Sequence, residues 1–124
     1  RDVAPSRGLG DVYKRQTSLM EDSRELALTH GLIDRHATLV FHDVPKSRVG
    51  LVGKRSNHGV ELEFPGFDYL GVWTASTESP FIAVEPWHGC ASAYDESGRF
   101  EDKRSTITLA PGERTELAFT VTPF

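Results

Sequence analysis

The sequence has a single cysteine, Cys90, in 124 residues, which excludes a disulfide within the chain. Such sparing use of cysteine fits a reducing compartment, and a cytoplasmic location is expected. Long apolar runs are also missing. None approaches the roughly 18 residues that a membrane-spanning helix needs, so no membrane partner is expected. Basic excess is absent as well: 14 Lys and Arg face 18 Asp and Glu, a formal charge of −4. A nucleic-acid binder presents a basic face, and none is evident, so no nucleic-acid partner is expected. There is no Cys/His metal spacing, no phosphate-binding loop and no dinucleotide fingerprint, and no metal is expected.

What remains is globular. Apolar residues are 38% and charged residues 26% of the chain, with 11 glycines and 7 prolines. The length suits one domain. Charge is unevenly spread. Residues 1–16 (RDVAPSRGLGDVYKRQ) carry a net charge of +2 and the rest −6. The first segment has neither the strand nor the helix apolar period, and it lacks the apolar core of a signal peptide. Residues 1–16 are therefore expected to be a non-native or disordered segment without strand pairing. The domain is expected over residues 17–124.

From Ala37 onward the pattern is that of strands. Ala37–His42 is apolar and partly β-branched. In 47–54, Val49, Leu51 and Gly53 share one face. Between His58 and Phe64, Val60, Leu62 and Phe64 alternate with Glu61 and Glu63, so one side is buried and the other wet. Residues 55–59 between these runs form a hairpin turn, in which Asn57 and Gly59 can take a positive φ. Further runs are Tyr69–Thr74, Phe81–Glu85 and Thr115–Val121, the last after a Pro111-Gly112 turn. The only helical turn expected is Ser23–Leu28, capped by Ser23 and stopped by Gly31. Six or more strands with short connections predict an all-β fold, an antiparallel β-sandwich.

The segment Phe81-Ile-Ala-Val-Glu-Pro-Trp-His-Gly89 carries the chemistry. It reads as a buried strand ending in an acid, with Pro86 interrupting the ladder just after Glu85. An apolar surrounding suits a carboxyl to general-base work. An indole beside a carboxylate is also a sugar-binding arrangement, in which the flat ring stacks and the carboxylate accepts from hydroxyls. The competing reading makes Glu85 a loop cap and Trp87 a core residue.

The stretch FPGFDYLGVWTASTESPFIAVEPWHG, followed by a loop with Asp95 and Gly98, then EDK and LAPGE, resembles the C-terminal part of the aldose 1-epimerase (galactose mutarotase) family. The matching positions are Phe64, Pro65, Gly66, Tyr69, Leu70, Trp73, Glu85, Pro86, Trp87, Gly89, Lys103, Leu109, Pro111 and Gly112. Residues 1–16 resemble a translated sequencing-adapter artefact instead. The family resemblance implies the C-terminal portion of a galactose-mutarotase-like supersandwich, and hence a fragment of a longer protein. It also implies an isomerase that interconverts α and β anomers of an aldohexose by acid–base catalysis, without a cofactor. The implied catalytic base is Glu85. The implied substrate-binding residues are Trp87, His88 and Lys103, and the partner is a small-molecule sugar. The family's acid histidine comes from an N-terminal half that these residues do not include. The alternative is a non-catalytic carbohydrate-binding relative of the same fold.

Other candidates carry less. His30, His36, His42 and His58 fall in turns or strand ends and read as structural or surface groups. Lys103 is weighed between a sugar contact and a salt bridge to Asp95 or Glu101, the bridge being preferred. Trp73 reads as core. Cys90 has no basic neighbour to activate it beyond His88. The acidic loop 94–102 lacks calcium-ligand spacing and reads as a solvated turn. Exposed strand edges make self-association an expected property of the chain.

Overall fold

Alternation of apolar and polar residues becomes strand pairing through the middle of the chain. The structure, a computed structural model, describes residues 2–3, 17–18, 24–76, 78–93 and 95–124. Its strands are β1 (Asp2–Val3), β2 (Thr17–Ser18), β3 (Thr38–His42), β4 (Arg48–Val52), β5 (Gly59–Glu63), β6 (Tyr69–Trp73), β7 (Ala83–Trp87) and β8 (Thr120–Pro123). They form two antiparallel sheets, one in the order β2-β1-β3-β6-β7 and one in the order β4-β5-β8. The sheets meet in one apolar core. Leu39, Leu70 and Val72 come from the first sheet, and Leu62 and Phe64 from or just after β5 of the second. Leu39 and Phe64 are the largest side chains removed completely from water. This is the all-β, antiparallel sandwich that the period-two pattern predicts, with one short helix added.

The β4–β5 hairpin has the expected register, with Arg48 opposite Glu63 and Val52 opposite Gly59. Its turn does not use the left-handed region at Asn57 or Gly59, which are not among the positive-φ residues. Gly59 is needed for a different reason. A Cβ there would run into the Phe124 ring, whose backbone exchanges hydrogen bonds of 2.9 and 3.0 Å with Gly59.

Four expectations are corrected. The helix is α1 (His30–His36), not 23–28, and Gly31 lies inside it. Ser23 lies outside the described residues. Thr29 is the cap, its side-chain oxygen accepting from the Leu32 N–H at 3.1 Å. A start at Thr29 places Ile33 in the interior, 4% exposed, and that burial outweighs the roughly 1 kcal/mol cost of an internal glycine.

The strand that begins at Ala83 runs through Pro86 to Trp87, with Leu70 opposite Pro86. The ladder continues because β7 is an edge strand. A proline there turns its missing N–H to the open side.

The last strand covers only Thr120–Pro123, not 115–121. Glu63, the end of β5, already pairs with Thr120, so Leu117 and Phe119 have no partner strand.

Finally, Asp2 and Val3 do pair, with Thr17, Ser18 and Phe41. The expectation of no strand pairing in residues 1–16 fails at those two positions. The remainder of that segment lies outside the described residues.

Candidate functional site

The register of β3, β6 and β7 decides which side chains share the outer face of the first sheet. Residues directly opposite one another in a ladder project to the same side. Thr38, Trp73 and Ala83 form one cross-strand row. Val40, Gly71 and Glu85 form the next, and His42, Tyr69 and Trp87 the third. The intervening residues Leu39, Leu70, Val72 and Val84 face the core. Glu85 is thus in the middle row, on the edge strand, of a face that also carries two tryptophans, a tyrosine and a histidine.

The carboxylate is held at both oxygens. The Trp73 indole N–H donates to Oε1 at 2.9 Å and the Trp87 indole N–H donates to Oε2 at 3.1 Å. The groups in contact with Glu85 are therefore N–H donors rather than purely apolar neighbours. An ionised carboxylate offers about four acceptor positions, so each oxygen keeps capacity for a ligand hydroxyl. Trp73 is itself fixed by an edge-on contact with Phe81, with centroids 5.8 Å apart and planes at 89°. This corrects the reading of Trp73 as core. It stands on the Glu85 face, and the buried core omits it. Trp87, likewise, is not a core residue.

Gly71 is the residue the sequence reading missed. A Cβ built there would overlap ring carbons of Trp87, so the indole lies directly over this glycine. Only glycine lets the ring settle onto the sheet and reach Glu85. The signal was the period-two set Tyr69, Gly71, Trp73, which means nothing until it is registered against Ala83, Glu85, Trp87.

The other expected site residues are scattered. His88 lies just beyond β7, with its Nδ1 3.3 Å from Asp68 Oδ2, and the histidine side chain is 22% exposed. The two groups are close but not aligned as a hydrogen bond, since Nδ1 is buried without a hydrogen-bond partner. Lys103 donates to Ser92 Oγ at 3.2 Å. The preferred salt bridge is not made. Asp95 is taken by Arg104, and Glu101 lies 3.7 Å from Arg99.

A cleft of about 610 Å³ opens at the end of β3 and the start of β6, next to this face rather than over Glu85. Its lining includes His42, Asp43, Phe64, Asp68, Tyr69 and Ser105. Tyr69 belongs to both the cleft and the Glu85 face, and its hydroxyl accepts from Ser105 Oγ at 3.4 Å. His42, read from sequence as structural or surface, is a cleft residue. No group of three or more metal-binding side chains occurs among the described residues. None of their helices is long and apolar enough to cross a membrane.

Fold and site together define an antiparallel β-sandwich with a half-buried carboxylate clamped by two indoles on the sheet face turned away from the shared core. The chain is similar to the LacX proteins of Lactococcus lactis subsp. lactis. It is 33% identical to the chromosomal protein and 32% identical to the plasmid one, in each case over 118 residues, or 95% of this chain. The chain spans 39% of the length of these curated relatives. The matched span takes in most of residues 1–16, so the adapter reading of that segment finds no support. No family model and no solved structure matches the chain.

Proposed function

We propose that the protein interconverts the α and β anomers of an aldohexose, an isomerase of the aldose 1-epimerase type, with Glu85 as the base. The observation that carries this reading is the double indole clamp on the Glu85 carboxylate. It holds a half-buried base in one orientation, and the indoles supply flat apolar surface for a sugar ring. The similarity to the LacX proteins and the family resemblance of residues 64–112 support the same assignment.

The chemistry needs two proton transfers. Glu85 takes the proton of the anomeric hydroxyl while an acid protonates the ring oxygen. The bond between the ring oxygen and the anomeric carbon breaks, leaving an open-chain aldehyde. Rotation of the aldehyde and reclosure return both protons and give the other anomer. No net charge is left and no cofactor is consumed. The acid is proposed to come from a histidine outside these residues, as the resemblance implies. Trp87 lines the sugar site beside Glu85. His88 and Lys103 are proposed as flanking contacts, His88 acting through Asp68.

The test is polarimetry of the whole protein on freshly dissolved α-D-glucose and α-D-galactose, with sugar binding read in parallel by tryptophan fluorescence. Equilibration much faster than in buffer supports the isomerase. Binding with no acceleration for either sugar would instead support the non-catalytic carbohydrate-binding alternative.

A further inference from the structure

We infer that His42, oriented by Asp43, is a sugar-contacting residue of this site, placing the ligand against Glu85 from the opposite side of the face. The inference rests on the proposed sugar function and adds a residue that neither the resemblance nor the expected site contains.

Three observations carry it. The first is register. His42 is opposite Tyr69, and Tyr69 is opposite Trp87, whose indole N–H donates to Glu85. His42 and Glu85 therefore share one sheet face. They are two strands and one row apart, roughly 12 Å between Cα positions by strand spacing and rise. One sugar ring fills such a span once a hydrogen bond of about 2.8 Å is added at each end. The Trp87 ring, lying over Gly71, forms the floor between them.

The second observation is the state of the imidazole. Nδ1 of His42 is 2.8 Å from Asp43 Oδ2. A carboxylate at Nδ1 fixes the proton there and leaves Nε2 as the ring atom for a ligand. Nε2 has no hydrogen-bond partner among the described residues. In the neutral ring it accepts from a sugar hydroxyl.

The third is the cleft. His42 and Asp43 line it together with Tyr69, Asp68 and Ser105, and the cleft, which reaches the core side chain Phe64, adjoins the Glu85 face at His42 and Tyr69 rather than covering Glu85. That mixture of a few convergent polar groups on an apolar wall suits a polyol. The turn that carries Asp43 is held in an unfavourable backbone shape. Asp43, Lys46 and Ser47 have φ of 53°, 57° and 45°. Non-glycine residues in this region cost stability and cluster at ligand-binding sites.

The experiment is steady-state polarimetry of the whole protein and of His42→Ala, His42→Gln and Asp43→Asn, with Glu85→Gln alongside. Circular dichroism melting serves as the folding control. A sugar-contacting His42 predicts a KM for α-D-galactose or α-D-glucose raised about tenfold in His42→Ala, with kcat within about threefold of the parent. His42→Gln places an amide near the Nε2 position and recovers most of the KM. Asp43→Asn raises KM by a smaller factor. Glu85→Gln shows the reverse pattern, a loss of kcat. An unchanged KM in a folded His42→Ala overturns the inference while leaving the Glu85 reading intact. A kcat in Glu85→Gln equal to the parent's overturns the underlying function instead. Should His42→Ala not fold, His42→Phe, which keeps a ring but removes Nε2, decides: a folded His42→Phe with KM raised about tenfold supports the contact, and one with KM unchanged overturns it.

Discussion

Gly71 lies directly across the β6–β7 ladder from Glu85, and the indole that grips Glu85 occupies the space a side chain on Gly71 would need. The carboxylate and the glycine are parts of one arrangement. A sheet position normally favours a branched or aromatic residue, and glycine there sacrifices packing and backbone entropy. The return is a tryptophan lying close to the backbone with its N–H turned to the acid.

Gly71→Ala forces the Trp87 ring off the sheet. The expected cost is about 1–3 kcal/mol in stability, because the added methyl meets ring carbons rather than a flexible chain end. Urea unfolding measures it. A shifted tryptophan emission and a reduced turnover in the folded variant accompany it. A variant as stable and active as the parent contradicts the packing described.

Trp73→Phe removes the N–H donated to Glu85 Oε1 but keeps an aromatic ring against Phe81. Loss of one such bond to a carboxylate is worth about 1.5–3 kcal/mol. The expected outcome is a Tm lower by a few degrees and a kcat lower by several-fold. A stability change alone, with kcat unaltered, makes Trp73 a structural neighbour of the site rather than part of it.

Thr29→Ala removes the cap of α1 and costs about 1 kcal/mol, whereas Thr29→Ser costs little. Thermal unfolding of the pair separates the hydroxyl from general disturbance. Equal melting of parent and Thr29→Ala means that Thr29 does not set the helix start.

The 124-residue chain by itself is expected to self-associate. Strand β8 is an edge, and Phe119, Val121 and Phe124 beside or within it are each more than half exposed. Light scattering after gel filtration reads the mass, and Phe119→Ser with Val121→Thr lowers it. A monodisperse monomer at high concentration contradicts the prediction.

Much of the sandwich is legible in the chain because strand periodicity is local. Val60, Leu62 and Phe64 alternate with acids, and this alone fixes the buried side of β5. Glu85 and Trp87 stand out for the same reason, two residues apart on one strand. What is not legible depends on pairing. Trp73 belongs to the Glu85 face only because Gly71, two residues before it, registers with Glu85. Nothing within Tyr69–Thr74 says which side faces the core, since Leu70 and Val72 are as apolar as their neighbours are aromatic. Pro86 is harmless because β7 is an edge, a fact of topology. His42 becomes a site residue through the cleft between separate elements. The helix start is not legible because both Ser23 and Thr29 carry capping chemistry, and only the burial of Ile33 singles out Thr29.

The central claim is that the clamped Glu85 is the base of an anomer-exchanging site. Its most direct test is the mutarotation rate of α-D-galactose and α-D-glucose by the whole protein and by Glu85→Gln, under conditions where both are folded and sugar binding is matched by tryptophan fluorescence. A positioned base contributes about 10²–10⁴-fold, so the account predicts a loss of at least about a hundredfold in kcat with binding preserved. A Glu85→Gln protein that turns over sugar at the parent's rate would contradict it.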